Sequence, residues 1–549
     1  MANPEHPYLQ DQLIAYIGNK RALQPFLAGI FSRLVRPGAV FLDPFAGSGA
    51  VSRLARWLGC RVLANDWEPY AYVLNFASLC VGSSEVEGLF RGAARALLAE
   101  LNSLGAPRRE YVARHYAPRS TAAADYRTER LFYTRENALA IDAMRERLEE
   151  LYPGFQPADP EDRKRKYLLL ASLLYGASTH VNTSGVFKAC HKGFGGHGRD
   201  ALGRILAPIR LRLPELLDGP PAEAGCQEAA DFARGRPADL CYLDPPYNQH
   251  QYGSNYHLLN TIALWDRPAV SEERRADGSL RRKAGIREDW VRTRSAYCYR
   301  ASAAAALAGL LEAVDARYLV LSYSTEGLVP FEELEALLEA QGELELYGSG
   351  YVKYRGGRQS ISRQVHNVEL ALVLDRGRSG SAAQRERRRR FHLESRLGLL
   401  LRGAFQPRRV AEAFPVSPAG IAVHLGGAEV HLPMRRLHHF APEALLVLAA
   451  AASGTQELEE LFRRLSDCAC RDRAEELEVL VGELTGEDAD LQAQRRALWL
   501  LRKLAHPKHR GRYEEYADLL ARLAETGRHE VLARGLEAVR RQAAARFAG

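Results

Sequence analysis

Residues 40–49 read VFLDPFAGSG: a short apolar strand from Val40 to Leu42 that runs through Asp43 and Pro44 into a glycine-rich turn. A helix pattern follows from about Ala50 to Leu58. After Gly59 comes a second strand-like stretch, RVLAND, over 61–66. Short apolar runs punctuated by Gly and Pro mark strands and turns. A strand, a helix and another strand in such close succession predict a right-handed crossover and a parallel sheet. The glycines let a ligand approach the backbone closely. The turn lacks the Lys-Ser/Thr ending of a phosphate-cradling loop and the third glycine of the dinucleotide fingerprint. Taken alone, it is compatible with a ligand loop or with a plain structural turn.

Outward from this stretch, residues 80–224 turn helical, with runs such as ENALAIDAMRERLEELY and KYLLLASLLYGAS. Strand signals return in DLCYLDPPY, RYLVLSYS and VELALVLDR. The prediction is an α/β fold whose sheet core, residues 1–79 and 225–375, is interrupted by a helical insertion over 80–224. RGRSGSAAQRERRRR (376–390) reads as a basic linker. Residues 391–549 read as a mostly helical C-terminal domain without an internal repeat.

At 549 residues the chain exceeds one hydrophobic core, so two or three domains are expected. A content of 46% hydrophobic and 26% charged residues is that of a globular protein rather than a disordered one. No apolar run is long enough to cross a bilayer, and MANPEHPYLQDQ lacks the marks of a signal peptide, so a cytoplasmic location with no membrane partner is expected. None of the eight cysteines has the spacing of a zinc site, so no metal and no disulfide are expected. The net charge of +8 suits a polyanionic partner.

Two further clusters carry chemistry. Asn65-Asp66-Trp67-Glu68 ends the second strand. A carboxylate there can accept both ribose hydroxyls of an adenosine-containing cofactor, and the neighbouring ring can cover the adenine. Asp244-Pro245-Pro246-Tyr247 follows the apolar strand Leu240 to Leu243. The amino nitrogen of adenine is a poor nucleophile because its lone pair is delocalised. The Asp carboxylate and the carbonyl between the prolines can bind its two hydrogens and localise that lone pair, while Tyr247 stacks on the base. Catalysis would then be positioning and electrostatics.

In this order the clusters resemble the Dam-like, DPPY-type adenine-N6 DNA methyltransferases. YIGNKR (16–21) looks like their N-terminal cofactor segment, DPFAGSG their glycine loop and NDWEPY their ribose-binding segment. The resemblance continues through FYTRENALAIDAMR, HVNTSGVFKA, NQHQYGSNYHLLNTIALWD and YLVLSYSTEGL, and so covers about residues 8–375. It implies a doubly wound, Rossmann-like core that binds S-adenosylmethionine and acts on an adenine flipped out of double-stranded DNA. It implies Asp244, Pro245, Pro246 and Tyr247 as the catalytic turn. Tyr16 and Lys20 would border the cofactor, and Asp43, Phe45, Gly47 and Gly49 would shape its methionine side. Asp66 would hold the ribose, Trp67 and Phe232 would flank the adenine, and Asp231 would bind its amino group.

Asn248, Tyr252, Asn255 and Tyr256 are candidates for the flipped-base pocket or plain loop residues. The insertion occupies the family's target-recognition place, where Lys188, His191, Lys192 and Arg199 would suit phosphate contacts. The basic stretch Arg274 to Arg294 is either a backbone contact or a solvated face. A restriction-modification or phage-defence setting is implied, with a cognate endonuclease or defence proteins as partners; a solitary methylase fits the same chemistry. Cytosine-N4 methylation, RNA adenine methylation and a non-catalytic DNA-binding relic remain alternatives. Asp244, where cytosine-N4 enzymes commonly carry Ser, favours adenine.

Overall fold

The computed structural model describes residues 6–196, 200–324, 327–350, 368–436, 439–451, 454–486 and 491–547. Arg199, one of the candidates for phosphate contact, lies outside them. The chain divides into two compact units, Met1–Gly380 and Ser381–Gly549.

The first unit is built on a seven-stranded, mostly parallel sheet. Its strands are β1 (Val40–Asp43), β2 (Arg61–Asn65), β3 (Glu223–Gly225), β4 (Ala238–Leu243), β5 (Ala316–Ser324), β6 (Glu343–Gly350) and β7 (Val368–Asp375). They lie in the order β3-β2-β1-β4-β5-β7-β6, with only β7 antiparallel to its neighbours. Alternate strand residues face opposite sides, as the two-residue period of a strand requires. Leu42, Cys241, Leu319 and Leu372 pack with Leu307 and Leu310 of the helix Ala303–Ala313. Phe41, Leu240, Val320 and Val373 pack on the other side, with Phe31 of the helix Gln24–Leu34 and Leu54 of the helix Ala50–Trp57. Both faces are therefore covered, so the strands read as continuous apolar runs rather than alternating ones.

Chain order reverses between β1 and β4, which pair in parallel with Leu42 opposite Cys241. That register brings the glycine turn after β1 and the Asp-Pro-Pro-Tyr turn after β4 side by side at the carboxyl ends of the sheet. In an open α/β sheet this reversal opens a crevice for a ligand.

Residues 80–222 form a helical body around the helices Arg135–Leu151 and Pro160–Thr179. Asp142 helps to hold it together, because its carboxylate accepts the backbone N–H groups of Tyr111, Val112 and Ala113 at 2.8–3.0 Å. The body shares one core with the helix His257–Leu264, which follows the turn after β4. No helix among the described residues is long and apolar enough to cross a membrane.

The second unit differs from the expected linker followed by helices. Ser381 and Gln384 form a reciprocal capping box, and the basic run belongs to the helix Ala382–Leu400. Arg388 is buried, Arg389 pairs with Glu459, and Arg390 pairs with Glu394. A helix can place arginines on several faces at once, so a charge run does not by itself mark a linker. The unit also contains a four-stranded antiparallel sheet of β8 (Val416–Ser417), β9 (Gly420–Leu425), β10 (Ala428–Arg436) and β11 (His439–Phe440). Four helices over Arg473–Phe547 share a separate core with Leu480, Leu501, Leu520 and Val539 at its centre.

Candidate active site

The crevice at the reversal point encloses about 730 Å³, its open mouth included. Its walls come from the segment around Tyr16, the turn after β1, the end of β2, residues 227–229, the turn after β4 and residues 293–297. A smaller recess of about 280 Å³ adjoins it under the glycine turn, lined by Lys20, Asp43, Gly47 and Asp244 among others.

Gly47 and Gly49 both have positive φ, +51° and +83°. A Cβ on Gly47 would stand 3.0 Å from the Tyr16 ring, and one on Gly49 would stand 2.9 Å from Asn75 Oδ1. Only glycine fits these turns, which let the helix Ala50–Trp57 start directly behind the crevice. Gly49 itself does not line the crevice.

The N-terminal segment is fastened to residues after the catalytic turn. Tyr16 stacks on Tyr252 and Tyr256, at ring-centre distances of 5.2 and 5.0 Å. The Tyr252 hydroxyl donates to Ile17 O, and Ile17 N–H donates to the Tyr256 hydroxyl. This fastening places Lys20 Nζ 3.0 Å from Asp244 Oδ1 and 5.3 Å from the centre of the Tyr247 ring. Tyr247 packs edge-on to Tyr323, and its carbonyl accepts Leu328 N–H. Pro245, Pro246, Phe45 and Trp67 also face the crevice.

The crevice is rich in buried carboxyl groups. Asp66 accepts the N–H groups of Gly47 and Glu68, and burial raises its pKa to about 6. Burial raises Glu68 to about 7, opposed by a hydrogen bond from Asn260. Asp43, at the recess, is also raised to about 7 by burial, opposed by the Ser52 hydroxyl at 2.6 Å. Among the described residues its second oxygen, Oδ1, is buried without a hydrogen-bond partner. Desolvated carboxyls with partly unmet acceptor capacity favour a cationic ligand.

Several expected site residues stand elsewhere. Asp231 is exposed and paired with Arg234, while Phe232, on the same helix Ala229–Ala233, is fully buried. The wall at that place is formed instead by Gln227, Glu228 and Ala229, the last of them the first residue of the helix, while Asp231 two residues on is exposed. Of the four candidates for the base pocket, only Tyr252 lines the crevice. Asn255 and Tyr256 are buried supports, and the Asn248 side chain accepts His250 N–H in its own loop. Lys188 follows Phe187, whose N–H donates to Asn255 O, so it lies at the seam between insertion and catalytic segment. Lys192 lies above Tyr126.

Glu68, a member of the Asn65–Glu68 cluster to which the sequence assigns no role of its own, also lines the crevice, as do Thr293, Ser295 and Tyr297, which the sequence does not single out. Residues 293–297 carry no local pattern and reach the site only by the path of a long loop.

The D12 class N6 adenine-specific DNA methyltransferase family model matches residues 16–278. The chain is 32% identical over 348 residues to the Type II methyltransferase M.NlaIII of Neisseria lactamica, covering 62% of this chain and 93% of that protein. It is 28% identical over 364 residues to M.CviAII of Paramecium bursaria Chlorella virus 1, covering 66% and 99%. With M.FokI of Planomicrobium okeanokoites it shares 29% identity over 370 residues, 66% of this chain and 52% of that one.

Proposed function

Because the chain belongs to the D12 class N6 adenine-specific DNA methyltransferases, we propose that its crevice takes S-adenosylmethionine and an adenine flipped out of duplex DNA. The observation that carries this reading is the placement of Asp244, Pro245, Pro246 and Tyr247 beside the glycine turn, in one crevice at the sheet reversal.

The residues suit that cofactor. Asp43, Asp66 and Glu68 offer buried carboxyls to a ligand that carries ammonium and sulfonium charge, and Tyr16, Phe45 and Trp67 offer rings. When bound, S-adenosylmethionine supplies an electrophilic methyl group. Asp66 and Glu68, both lining the crevice, accept the ribose hydroxyls, and Glu228 and Ala229 form the wall in the place expected for Asp231. The Asp244 carboxylate and the Pro245 carbonyl accept the two amino hydrogens of the target adenine, which concentrates the lone pair on N6. Tyr247 stacks on the base, with Tyr323 fixing its ring. Lys20 orients the Asp244 carboxylate. The donors and acceptors are preorganised, so the protein lowers the barrier mainly through geometry and electrostatics.

The helical body of residues 80–222 reads the target sequence, and the named Type II relatives support a restriction-modification role with a cognate endonuclease.

Expression in a methylase-free bacterium, followed by single-molecule sequencing of its DNA, tests this reading. Adenine methylation at one recurrent motif, absent with Asp244→Ala, is the expected outcome. Unmodified DNA from the wild type, or modification that persists in the variant, would overturn it.

A further inference from the structure

Tyr126 stands between two lysines from distant parts of the chain. Lys192 Nζ lies 5.6 Å from its ring centre and Lys283 Nζ lies 5.1 Å from it. Arg127 adds a third cation: its hydrogen bond to the Tyr126 hydroxyl, then Lys192, holds the phenol below its usual range. Lys192 and Lys283 are exposed and form no ion pair among the described residues. Asp125, the adjacent carboxylate, accepts Arg127 N–H and the Thr128 hydroxyl, both at 3.0 Å, and also attracts Arg127 and Lys283, while Asp277 attracts Arg127.

Both lysines ride on fixed backbone. The buried Arg130 donates to the carbonyls of Lys283, Arg282 and Ser271, pinning the loop after the helix His257–Leu264 onto the insertion. The fully buried Asn182 bonds to Gly193 O and Gly195 N–H, and its carbonyl accepts His191 N–H. Three cations thus meet, two of them on fixed backbone, against the two carboxylates Asp125 and Asp277, so the cluster keeps an excess of positive charge. A polyanion neutralises that excess. Lys192 also follows Phe187, bonded to Asn255 O, by only five residues, so it stands at most ~18 Å from the catalytic segment. A DNA strand carries a phosphate every ~3.4 Å.

We propose that Tyr126, Arg127, Lys192 and Lys283 form a clamp for the phosphodiester backbone of the substrate duplex beside the flipped base. The proposal rests on the DNA methyltransferase reading and gives it a specific anchoring point. Each lysine neutralises a phosphate, and the Tyr126 ring holds the two ammonium groups in register.

The test uses the full chain and two duplexes, one carrying the methylated motif and one scrambled. Binding of wild type, the Lys192→Gln/Lys283→Gln double variant and Tyr126→Ala is measured from about 50 to 200 mM salt. Calorimetry with S-adenosylmethionine checks that the variants are folded, since these residues lie outside the cofactor crevice. The expected result is a shallower dependence of log Kd on log salt, by ~0.9 for each phosphate that is no longer neutralised, equal on both duplexes. Tyr126→Ala should flatten it in the same direction. An unchanged slope would overturn the clamp. Weakening confined to the motif duplex would also overturn it, because it would mean base reading. If the wild type binds neither duplex and methylates neither, the methyltransferase reading fails as well.

Discussion

Lys20 Nζ sits 3.0 Å from Asp244 Oδ1, with the lysine 4% and the aspartate 18% exposed. The pair joins the N-terminal segment to the catalytic turn, and little water screens it. Burial costs both charges their hydration, so removing one partner is more damaging than breaking a surface ion pair.

Replacing Lys20 by Met should leave the Asp244 carboxylate without its cation and free to turn from the target. A charge-assisted hydrogen bond is worth ~1.5–3 kcal/mol, so single-turnover methyl transfer should fall roughly 10- to 100-fold. Lys20→Arg should recover part of it. Undiminished turnover in Lys20→Met would remove Lys20 from the mechanism.

The buried carboxyls make cofactor binding depend on pH. Asp66 is raised to about 6, and Asp43 and Glu68 to about 7, in each case chiefly by burial. Below these values they carry protons and lose their attraction for a cation. S-adenosylmethionine affinity should therefore weaken as pH falls from about 7 to 6, and binding in that window should release protons. Calorimetry in buffers of different ionisation enthalpy measures the release directly.

The same groups have folded-state values above their unfolded ones. Their contribution to stability is thus full below about pH 4 and is lost as pH rises through 6 to 7. In the ligand-free protein this contribution to the melting temperature should decline between about pH 4 and pH 7, on the order of a few degrees. The cofactor should offset the decline. A ligand-free protein whose melting temperature rises across that window in Asp43→Asn relative to wild type agrees with the sign; an unchanged difference contradicts it.

Gly49 adopts φ +83°, and an added Cβ would meet Asn75 Oδ1 at 2.9 Å. Gly49→Ala should cost at least ~1–2 kcal/mol from backbone conformation alone, seen as a lower denaturant midpoint. Gly47→Ala pushes on the Tyr16 ring instead, so its larger effect should be on cofactor affinity.

Asp231 and Phe232 separate position in sequence from position in space. Asp231→Ala should leave cofactor affinity within about twofold, since the side chain is exposed and paired with Arg234. Phe232→Ala should instead destabilise the first unit by ~3–5 kcal/mol as a core truncation. Tight dependence of cofactor binding on Asp231 would show that the helix Ala229–Ala233 turns when the ligand binds.

The reaction, the strand-loop-helix at residues 40–57 and the turn at 244–247 are legible in the sequence because each is local. Strand period, glycine placement and the Asp-Pro-Pro-Tyr order survive in any window of a few residues. The basic run at 385–390 reads as a linker and is a helix, because a helix can hide Arg388 and pair Arg389 and Arg390 on different faces. Asp231 stands away from its expected place because one helical turn decides whether a side chain meets the crevice or solvent.

By itself the sequence determined the chemistry, since the residue types needed to bind an adenosyl cofactor and an amino group occur in order along the chain. Tertiary structure alone decided which of them meet. Ile17 and Tyr256 bond across 239 positions, and that contact sets Lys20 against Asp244. It likewise gathered Tyr126, Lys192 and Lys283. Contacts of that range depend on how whole layers pack, and no local window of sequence encodes that packing.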